Sequence, residues 1–493
     1  MTSTGERQPS AAPAGGILSR PYRRVTLANL TIVAIAAFDG LALVAALPAI
    51  ADDLGDVALL PWVITAFLGA SAIAGITAGP IIDAIGVRRT FRFTGLWFLA
   101  TSAIAAAAPD MITLVVARTL QGVGGGLVIS VALTAVGLAY PNRLRPRAFA
   151  ANSMVWGVMG FGGPVVTAGL LTLTGWRGIF VVQLPITALA IVAGWRSLPS
   201  TRDRPQRITV DGRGVALVTV VVVASLIGVS QIGVRWWPAG AAAAAAIAAA
   251  AAFWAHSGRT SDPLVARSHI TRFPLRRIHV TSGLVLVAGL AADNYLPLYM
   301  RTVRGTSEGF AAFSVLFLAV GWTTGAFVVS RLLDRRGPSD TILLGSFVMP
   351  VGIVVAGLGV WVGWPIPIVF AGFFVMGLSI GFVSTSGLTM LQTSAAETEM
   401  GRVTSAHQFI RTLCITYGVA IGGAILLLVV DRQVGDVEVV RDALSDDELP
   451  TTPATLDAIR DGLAWVHVFA GVVSLGCIWA AVVLWRQVRA RSS

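Results

Sequence analysis

Long apolar runs alternate with short polar segments along most of this chain. Most runs hold about 20 or more residues, enough to cross a bilayer core of about 30 Å as an α-helix. The pattern predicts fourteen transmembrane helices, and because this number is even, both termini lie on one side. The predicted spans are Val25–Ile50, Leu59–Ile82, Phe93–Ala108, Met111–Tyr140, Ala148–Leu173, Trp176–Trp195, Gly214–Val234, Pro238–Ala255, Ile278–Met300, Gly309–Leu333, Thr341–Trp364, Ile366–Leu391, Val403–Val430 and Leu463–Trp485.

Two polar loops between predicted spans resemble each other. Gly79–Arg89 follows the second span and Ser330–Gly337 follows the tenth, and each has a small residue four positions before an aspartate, Asp83 or Asp334. Glycine and arginines follow the aspartate in both loops. Such an internal repeat indicates two related halves. Without spans seven and eight, each half holds six helices, with the repeated loop between its second and third.

The repeat predicts an all-α membrane protein with two six-helix pseudo-symmetric bundles and two inserted helices. The N-terminal bundle is predicted over 20–200, the linker with the two extra helices over 201–276, and the C-terminal bundle over 277–493. Residues 1–19 are rich in Ser, Pro, Gly and Ala, which predicts a disordered cytoplasmic tail. Residues 431–462 are predicted to form an extracytoplasmic loop, either an amphipathic cap or a flexible segment.

Composition supports a multi-pass membrane protein. Of 493 residues, 55% are hydrophobic and 12% charged, about half the charged share of a soluble protein. The net charge of +11 lies in short loops rather than on a soluble face, so we expect the lipid bilayer and not nucleic acid as a partner. Most arginines lie in the tails and alternate loops, which predicts cytoplasmic termini in a bacterial inner membrane. The chain is expected to be a monomer.

Several kinds of chemistry are excluded because the chain has no lysine. A phosphate-binding loop and a Schiff base both require lysine, so this chain is not expected to drive transport with ATP. The five histidines are scattered, and neither metal-ligand spacing nor a nucleophile–base pair appears. We therefore predict no enzyme activity, no metal and no cofactor.

Three charged residues interrupt predicted spans, where a charge is costly and usually functional. Asp39 lies about 14 residues, or roughly 21 Å, above the inner end of span one. Arg118 lies about 7 residues, or roughly 10 Å, below the outer end of span four. Because both depths fall about 20 Å from the cytoplasm, the two side chains are predicted to pair. Asp293 lies slightly further out, in span nine of the other half.

Asp39 and Asp293 are the candidate proton or cationic-substrate sites. Removal from water raises the pKa of a carboxyl group, whereas a nearby arginine lowers it. A carboxyl group that alternates between these surroundings loads and releases a proton near neutral pH, and Arg118 would compete with that proton. The alternative for each residue is a static buried ion pair.

Four more residues are secondary candidates for a cavity or for coupling. Asn294 and Tyr295 directly follow Asp293. Arg411 and His407 lie in span thirteen, about 14 Å and 8 Å from the inner face. His407 could titrate near neutral pH, and the alternative is a packing histidine with satisfied hydrogen bonds.

The repeated loops are predicted to control opening. Aspartates beside arginines predict ion pairs at the cytoplasmic face, individually weak, which together bias a conformational equilibrium by a few kcal/mol. The alternative, positive-inside anchoring, explains the arginines but not the recurring aspartates. The candidate gating residues are Gly79, Asp83, Gly86, Arg88, Arg89, Asp334, Arg335 and Arg336.

At these segments the chain resembles the major facilitator superfamily, specifically its fourteen-helix drug:proton antiporter branch. Asp39–Pro48 resembles the first-helix motif of that branch, although Leu41 and Val44 replace its Thr and Asn. Gly79–Arg89 and Arg118–Gly126 are similar to the superfamily's loop and fourth-helix motifs. A helix-packing signature associated with antiporters resembles the segment that contains Gly157, Gly160, Gly163 and Pro164. The resemblance extends to Trp176–Pro185 and Gly401–Gly418.

The resemblance implies two bundles around a central cavity and an exporter of the multidrug efflux type. Its substrates would be lipophilic or amphipathic small molecules, and entry of protons down their gradient would supply the energy. The sequence leaves open an endogenous lipid, a metabolite or a self-made antibiotic as cargo. A membrane scaffold or sensor that does not transport is a more distant alternative, because it has little need for central carboxylates in both halves.

Overall fold

The structure, a computed structural model, describes residues 15–56, 59–199, 211–231, 236–435 and 452–492. Within these ranges the secondary structure is helical. Seventeen α-helices are α1 (Arg23–Leu54), α2 (Leu60–Ile85), α3 (Val87–Ala106), α4 (Met111–Ala139), α5 (Arg145–Thr174), α6 (Arg177–Gly194), α7 (Gly212–Gln231), α8 (Trp236–Ser257), α9 (Arg267–Thr271), α10 (Leu275–Asp293), α11 (Leu296–Thr302), α12 (Glu308–Phe313), α13 (Leu316–Leu332), α14 (Pro338–Val362), α15 (Ile366–Ser394), α16 (Met400–Val434) and α17 (Pro453–Ser492).

Many of these helices are suited to a bilayer. Among the described residues, ten helical segments are long and apolar enough to cross one, and α5 adds an eleventh if its two arms, bent by 51°, form one span. Two of the ten segments consist of consecutive α-helices, α10 with α11 and α12 with α13. The chain is therefore an all-helical, multi-pass membrane protein. Spans one, three and seven of the sequence lie in α1, α3 and α7, which are not among the ten. The number of fourteen spans stays a prediction.

Two predicted spans are interrupted. Span nine is divided into α10 and α11 by a turn at Asn294 and Tyr295. Pro297 lies in the first turn of α11, where its missing N–H group is tolerated, whereas inside a continuous helix it would remove a hydrogen bond. Span ten is similarly divided into α12 and α13. The break after Asp293 places this aspartate at a helix end.

The predicted loop over 431–462 is shorter in the structure. Helix α16 continues to Val434, and α17 begins at Pro453, ten residues before the predicted span. The added turns of α17 are amphipathic, because Ala458 and Ile459 are buried while neighbouring positions are polar. Packing of that apolar stripe explains why a polar sequence is helical here. Residues 436–451, together with residues 1–14 of the predicted tail and 201–210 and 232–235 of the predicted linker, lie outside the described residues.

The packing of the helices follows the internal repeat. The pairs α2–α4, α1–α5, α3–α6 and α1–α6 pack together in the first part of the chain. Their counterparts α13–α15, α10–α16, α14–α17 and α10–α17 pack together in the last part. We call these two sets the N-half and the C-half. Helices α7 and α8 pack on each other, and α7 also contacts α2 and α16.

Glycine allows the closest of these contacts. A Cβ atom on Gly126 of α4 would overlap the carbonyl oxygen of Ser71 in α2 and lie 2.8 Å from the nitrogen of Gly75. At the counterpart contact, a Cβ atom on Gly381 of α15 would overlap the carbonyl oxygen of Trp322 in α13. Such small-residue contacts hold membrane helices together by close van der Waals packing.

Substitution of Gly126 tests this packing. Because the overlapping atoms belong to the backbone of α2, Gly126→Ala is expected to reduce the free energy of unfolding by about 1–3 kcal/mol. Unfolding of the purified protein by denaturant in mixed micelles measures the loss. Gly169→Ala is the matched control, since a Cβ atom at Gly169 meets no atom within 4 Å. Equal stability of the two variants would contradict a close contact of α2 with α4.

Candidate functional site

A buried ion pair joins α1 to α4 in the N-half. The Nη1 atom of Arg118 lies 2.9 Å from each carboxylate oxygen of Asp39, and the two side chains are only 2% and 1% exposed. The pairing expected from their depths is therefore present. Removal of one partner from such a pair costs several kcal/mol because the other charge stays buried and uncompensated.

Polar side chains from three helices complete this network. Gln121, one turn after Arg118, accepts a hydrogen bond from Arg118 Nη1 at 2.6 Å and donates to Ser102 in α3 at 2.9 Å. Gln183 in α6 donates to Asp39 Oδ1 at 3.1 Å. Arg118 Nε also donates to the carbonyl oxygen of Val63 in α2 at 3.3 Å. The charge pair is thus held by five helices of one half.

Sequence reasoning identified the two charges but not their amide and hydroxyl partners. Gln121 could have been found, because residues three apart on a helix share a face. Gln183 gave a weaker signal as a single amide in an otherwise apolar span. Aromatic rings also enclose the pair, since the Arg118 guanidinium carbon lies 4.1 Å from the centre of the Phe67 ring and 5.8 Å from that of Phe180. Rings and amides together replace the water that a free guanidinium would bind.

Asp293 has different surroundings from Asp39. It is 7% exposed at the end of α10, and its Oδ1 atom has no hydrogen-bond partner among the described residues. Asn294 is exposed and donates to the carbonyl oxygen of Leu290 at 3.3 Å. The Tyr295 hydroxyl donates to the carbonyl oxygen of Val419 in α16 at 2.9 Å. The C-half therefore has a buried carboxyl group without the arginine that Asp39 has.

Arg411 and His407 lie on α16, one helical turn apart. Both are buried, and the guanidinium carbon of Arg411 lies 5.8 Å from the centre of the Trp322 ring. The Nδ1 atom of His407 is 2.9 Å from Nδ1 of His279, a residue of α10 that sequence reasoning did not single out. His279 Nε2 in turn lies 3.0 Å from the carbonyl oxygen of His269. His407 thus lies in a histidine pair, but its Nε2 atom is buried and has no hydrogen-bond partner among the described residues. A packing histidine with all its hydrogen bonds satisfied is therefore not what the structure has, and a role in coupling stays a prediction.

The two halves touch at the end of the molecule that carries Asp83 and Asp334, here called the loop-motif face. The Asp83 carboxylate accepts hydrogen bonds from the main-chain N–H groups of Gly401 and Arg402, at 2.8 and 3.0 Å. These groups begin α16, whose N-terminus attracts negative charge. Gly79 lies against the same segment, where a Cβ atom would come within 2.7 Å of the Arg402 Cα atom.

Asp334, the second aspartate of the repeat, also contacts the opposite half. Asp334, after α13, forms an ion pair with Arg147 of α5 at 2.7 Å, and both side chains are 42% exposed. Its partner therefore belongs to the opposite half and is not one of the arginines beside it. Of the four arginines of the two loops, Arg89, Arg335 and Arg336 are exposed, and Arg88 donates to the carbonyl oxygen of Leu198 at 2.6 Å. Gly86 has φ +83° at the junction of α2 and α3.

At the opposite end, the described hydrophobic clusters are each built from one half. An exposed ion pair there joins Asp53 to Arg177. Hydrogen bonds from Arg177 and from the Trp176 indole lower the pKa of the Asp53 carboxyl. This pair lies within the N-half and connects the end of α1 to α6.

The helix-packing motif lies at the bend of α5. The arms of the helix separate between Gly160 and Val165, within the segment from Gly157 to Pro164. A Cβ atom on Gly157 would come within 2.6 Å of the Thr323 hydroxyl in α13, so α5 and α13 approach closely there. Gly163 is buried, and the side chain of Pro164 lies outside the described residues.

A double-mutant cycle tests the buried pair. Asp39→Asn and Arg118→Gln each leave one partner unmatched, and each is expected to reduce the free energy of unfolding by about 3–5 kcal/mol. The double variant should lose clearly less than the sum, because neither charge remains. Denaturant unfolding in mixed micelles measures all four proteins. Asp53→Asn breaks an exposed pair and should cost no more than about 1 kcal/mol. Additive losses would contradict a direct interaction of Asp39 with Arg118.

Comparison with known proteins gives a consistent result. The family model of the Major Facilitator Superfamily matches residues 30–419. The multidrug transporter protein MdtP of Bacillus subtilis is 24% identical over 411 residues, 82% of this chain and 75% of that protein. The tetracenomycin C resistance and export protein of Streptomyces glaucescens is 26% identical over 476 residues, 94% and 86% of the two chains.

Among solved structures, the proton:xylose symporter XylE has the same fold. It aligns with a TM-score of 0.59 at 13% identity, over 94% of this chain and 95% of that one. Identity at this level carries the fold alone. The family match covers most of the chain, and the match in fold extends over nearly all of it. The chain therefore belongs to the Major Facilitator Superfamily, a family of membrane transporters and not of enzymes.

Proposed function

We propose that this protein is a proton-coupled exporter of lipophilic or amphipathic small molecules, an antiporter with fourteen membrane helices that works by alternating access. The observation that carries this proposal is the Asp39–Arg118 pair, buried in a complete polar network at the centre of the N-half. A bilayer protein gains little stability from a buried ion pair. The pair is better explained as a proton site, in which Asp39 binds a proton and the approach of Arg118 expels it.

In the proposed cycle, protonation of Asp39 separates it from Arg118, and return of Arg118 expels the proton. Gln183 and Gln121 then hold the uncharged acid and the released guanidinium. Asp293 is the proposed second site, because an ionised carboxylate without a partner is costly to bury and the protonated acid is not. The proton would enter from one side and the substrate would leave by the same side.

The contacts at the loop-motif face support a closed gate in this conformation. Asp83 holds the first residues of α16, and Arg147 holds Asp334, so one contact in each half of the repeat crosses the boundary. The distribution of arginine supports placing this face, with both termini, in the cytoplasm of a bacterial inner membrane. The conformation would then face outward.

The energy of the gradient is sufficient for this cycle. One proton that enters across 100 mV supplies about 2.3 kcal/mol, and one pH unit adds about 1.4 kcal/mol. At about 1.4 kcal/mol per tenfold, their sum sustains a gradient of several hundredfold for a neutral substrate. No cofactor is required in this proposal.

A second candidate keeps the mechanism and changes the cargo to an endogenous metabolite, a lipid or a self-made antibiotic. It is favoured by the relative from Streptomyces glaucescens, whose name describes the export of tetracenomycin C. The same transport experiment separates the two candidates, since one predicts a broad range of compounds and the other a narrow one.

Proton flux tests the proposed coupling sites. Purified protein in liposomes that enclose a pH-sensitive dye is given a proton gradient and then lipophilic cations or neutral amphiphiles. Wild type is expected to show proton flux that depends on the compound. Asp39→Asn is expected to lower this flux by at least about tenfold, because the group that carries the proton is removed. Asp293→Asn should lose a comparable share.

Asp53→Asn is the control for this assay, because its carboxylate lies at the surface and pairs with Arg177. It is expected to keep the wild-type flux. Unchanged flux in both Asp39→Asn and Asp293→Asn would refute the proposed proton sites. Flux with only one narrow class of compound would favour the second candidate.

A charge swap tests the gate. Arg147→Asp places two negative charges together at the loop-motif face and is expected to lower the rate of transport by at least about threefold, through a shift of the conformational equilibrium. The double variant Arg147→Asp with Asp334→Arg restores opposite charges and should recover most of the rate. Stability should change by less than about 1 kcal/mol because the pair is exposed. Failure of the double variant to recover would contradict a role for the pair.

A further inference from the structure

The C-half contains a buried positive charge that the proposed cycle does not use. Arg411 is 8% exposed, and its Nε and Nη1 atoms have no hydrogen-bond partner among the described residues. Within the same part of the chain, no carboxylate lies within 4.0 Å of its guanidinium. Arg118, by contrast, is matched by Asp39, Gln121 and a carbonyl oxygen. Arg411 is therefore an uncompensated charge.

Such a charge is unfavourable unless an anion binds it. Arginine stays protonated in proteins, so it cannot relieve the cost of burial by losing its proton. An unmatched buried donor loses the hydrogen bonds it had in water, and the loss is larger for a charged group. The missing partner must accept hydrogen bonds from a planar guanidinium, and a carboxylate or sulfonate does so with two oxygens.

Asp293 is too distant to be this partner. Helices α10 and α16 pack side by side, with Gly283 against Cys414 and Ala291 against Gly422. In this register Asp293 lies level with residues beyond Gly422, more than eleven positions along α16 from Arg411. At 1.5 Å per residue the separation along the helix is about 16 Å or more. The two charges of the C-half therefore do not form a pair like the one in the N-half.

Trp322 provides an aromatic surface beside the guanidinium. Its ring centre lies 5.8 Å from the Arg411 guanidinium carbon, and it belongs to α13 while Arg411 belongs to α16. The next residue, Thr323, donates to the carbonyl oxygen of Ser153 in α5, so this part of α13 is where the halves meet. An aromatic ring stacked on Trp322 would bring an acidic substituent to Arg411.

His407 adds a hydrogen-bond acceptor one turn away. A carbonyl oxygen only accepts, so His279 Nε2 must donate to His269, which leaves His279 Nδ1 as the acceptor in the neutral ring. His407 Nδ1 must then donate to it, and this assignment follows from the partners and not from observed hydrogens. His407 Nε2 keeps its lone pair, is buried and has no partner among the described residues. Residues four apart share one helix face, so His407 and Arg411 lie on the same side of α16.

We propose that Arg411, Trp322 and His407 form a subsite for the acidic group of an aromatic, amphipathic substrate. Arg411 would bind the carboxylate or sulfonate, Trp322 would stack on the ring, and His407 would accept a hydrogen bond from a neighbouring N–H or O–H group. The assignment rests on the proposed function, because it places these three residues on the transport pathway and requires them to open to the substrate during the cycle. It predicts that the amphipathic substrates include organic anions that carry an aromatic ring.

Binding of matched ligands tests the subsite without any proton gradient. The full-length protein in lipid nanodiscs is titrated by calorimetry with 2-naphthylacetate and with 2-naphthylacetamide, and empty nanodiscs are subtracted. The two ligands have the same ring and nearly the same shape, and differ in charge. Wild type is expected to bind the acetate at least about tenfold more tightly, the usual effect of a charge-assisted hydrogen bond.

Substitutions at Arg411 identify the group responsible. Arg411→Gln is expected to remove the preference for the acetate and to leave the affinity for the acetamide within about twofold, since the ring site is unchanged. Arg411→Lys keeps the charge but loses the planar fork, so it should retain part of the preference. Arg432→Gln is the matched control, because Arg432 is an exposed arginine of the same helix.

Thermal stability gives an independent result. Without ligand, Arg411→Gln should unfold at the same temperature as wild type or higher, because it removes a buried charge that has no partner. A purely structural arginine predicts a lower temperature. The acetate should raise the unfolding temperature of wild type and not that of Arg411→Gln, since only the folded wild type binds it well.

The outcomes are distinct. Equal binding of acetate and acetamide by wild type would overturn the subsite, even if the variants failed to fold. Equal loss of both ligands in Arg411→Gln would also overturn it and assign Arg411 to the packing. A preserved acetate preference, with no proton flux in liposomes given 2-naphthylacetate as well as the cations and neutral amphiphiles, would leave the subsite in place and refute the proposed coupling instead.

Discussion

The N-half is organised around one constraint, that a charge inside a membrane protein must be matched. Asp39 and Arg118 meet this constraint with two contacts of 2.9 Å and with hydrogen bonds from Gln121 and Gln183. The network connects five helices, so a change in either charge alters hydrogen bonds to most helices of the N-half. A static pair of this kind gains little net stability, because the cost of removing both charges from water nearly cancels their attraction. The pair is explained if Asp39 binds a proton and Arg118 alternately during the proposed transport cycle.

The C-half repeats the packing of the N-half but not its chemistry. Its helices pair in the counterpart order, and glycine allows a matching close contact between α13 and α15. Its charges, however, are separated: the Asp293 Oδ1 atom at the end of α10 has no hydrogen-bond partner among the described residues, and Arg411 lies about 16 Å or more away along the helix axis. In this account the two halves share the helix packing that moves during alternating access. Their charges differ in role: Asp39, Arg118 and Asp293 are proposed to couple protons, and Arg411 to bind an acidic group.

Much of this could be predicted from the sequence. Helical rise and span ends gave the depths of Asp39 and Arg118, and the pairing follows from them. The repeated loops predicted that Asp83 and Asp334 form contacts, but the partners, Gly401 and Arg147, come from the opposite half and depend on how the halves dock. Gln183 and His279 were missed because one polar residue in an apolar run gives no periodic signal. The break before Pro297 was missed because proline is tolerated within membrane spans.

The most direct test asks whether the Asp39 carboxyl changes its protonation state during the cycle. Infrared difference spectra of the purified protein, recorded on addition of a transported compound, report the band of a protonated carboxyl group. The account predicts a substrate-dependent change in this band that is present in wild type and absent in Asp39→Asn. Asp53→Asn should retain it. A band that does not change with substrate, or one that persists in Asp39→Asn, would contradict the central claim and leave Asp39 and Arg118 as a static ion pair.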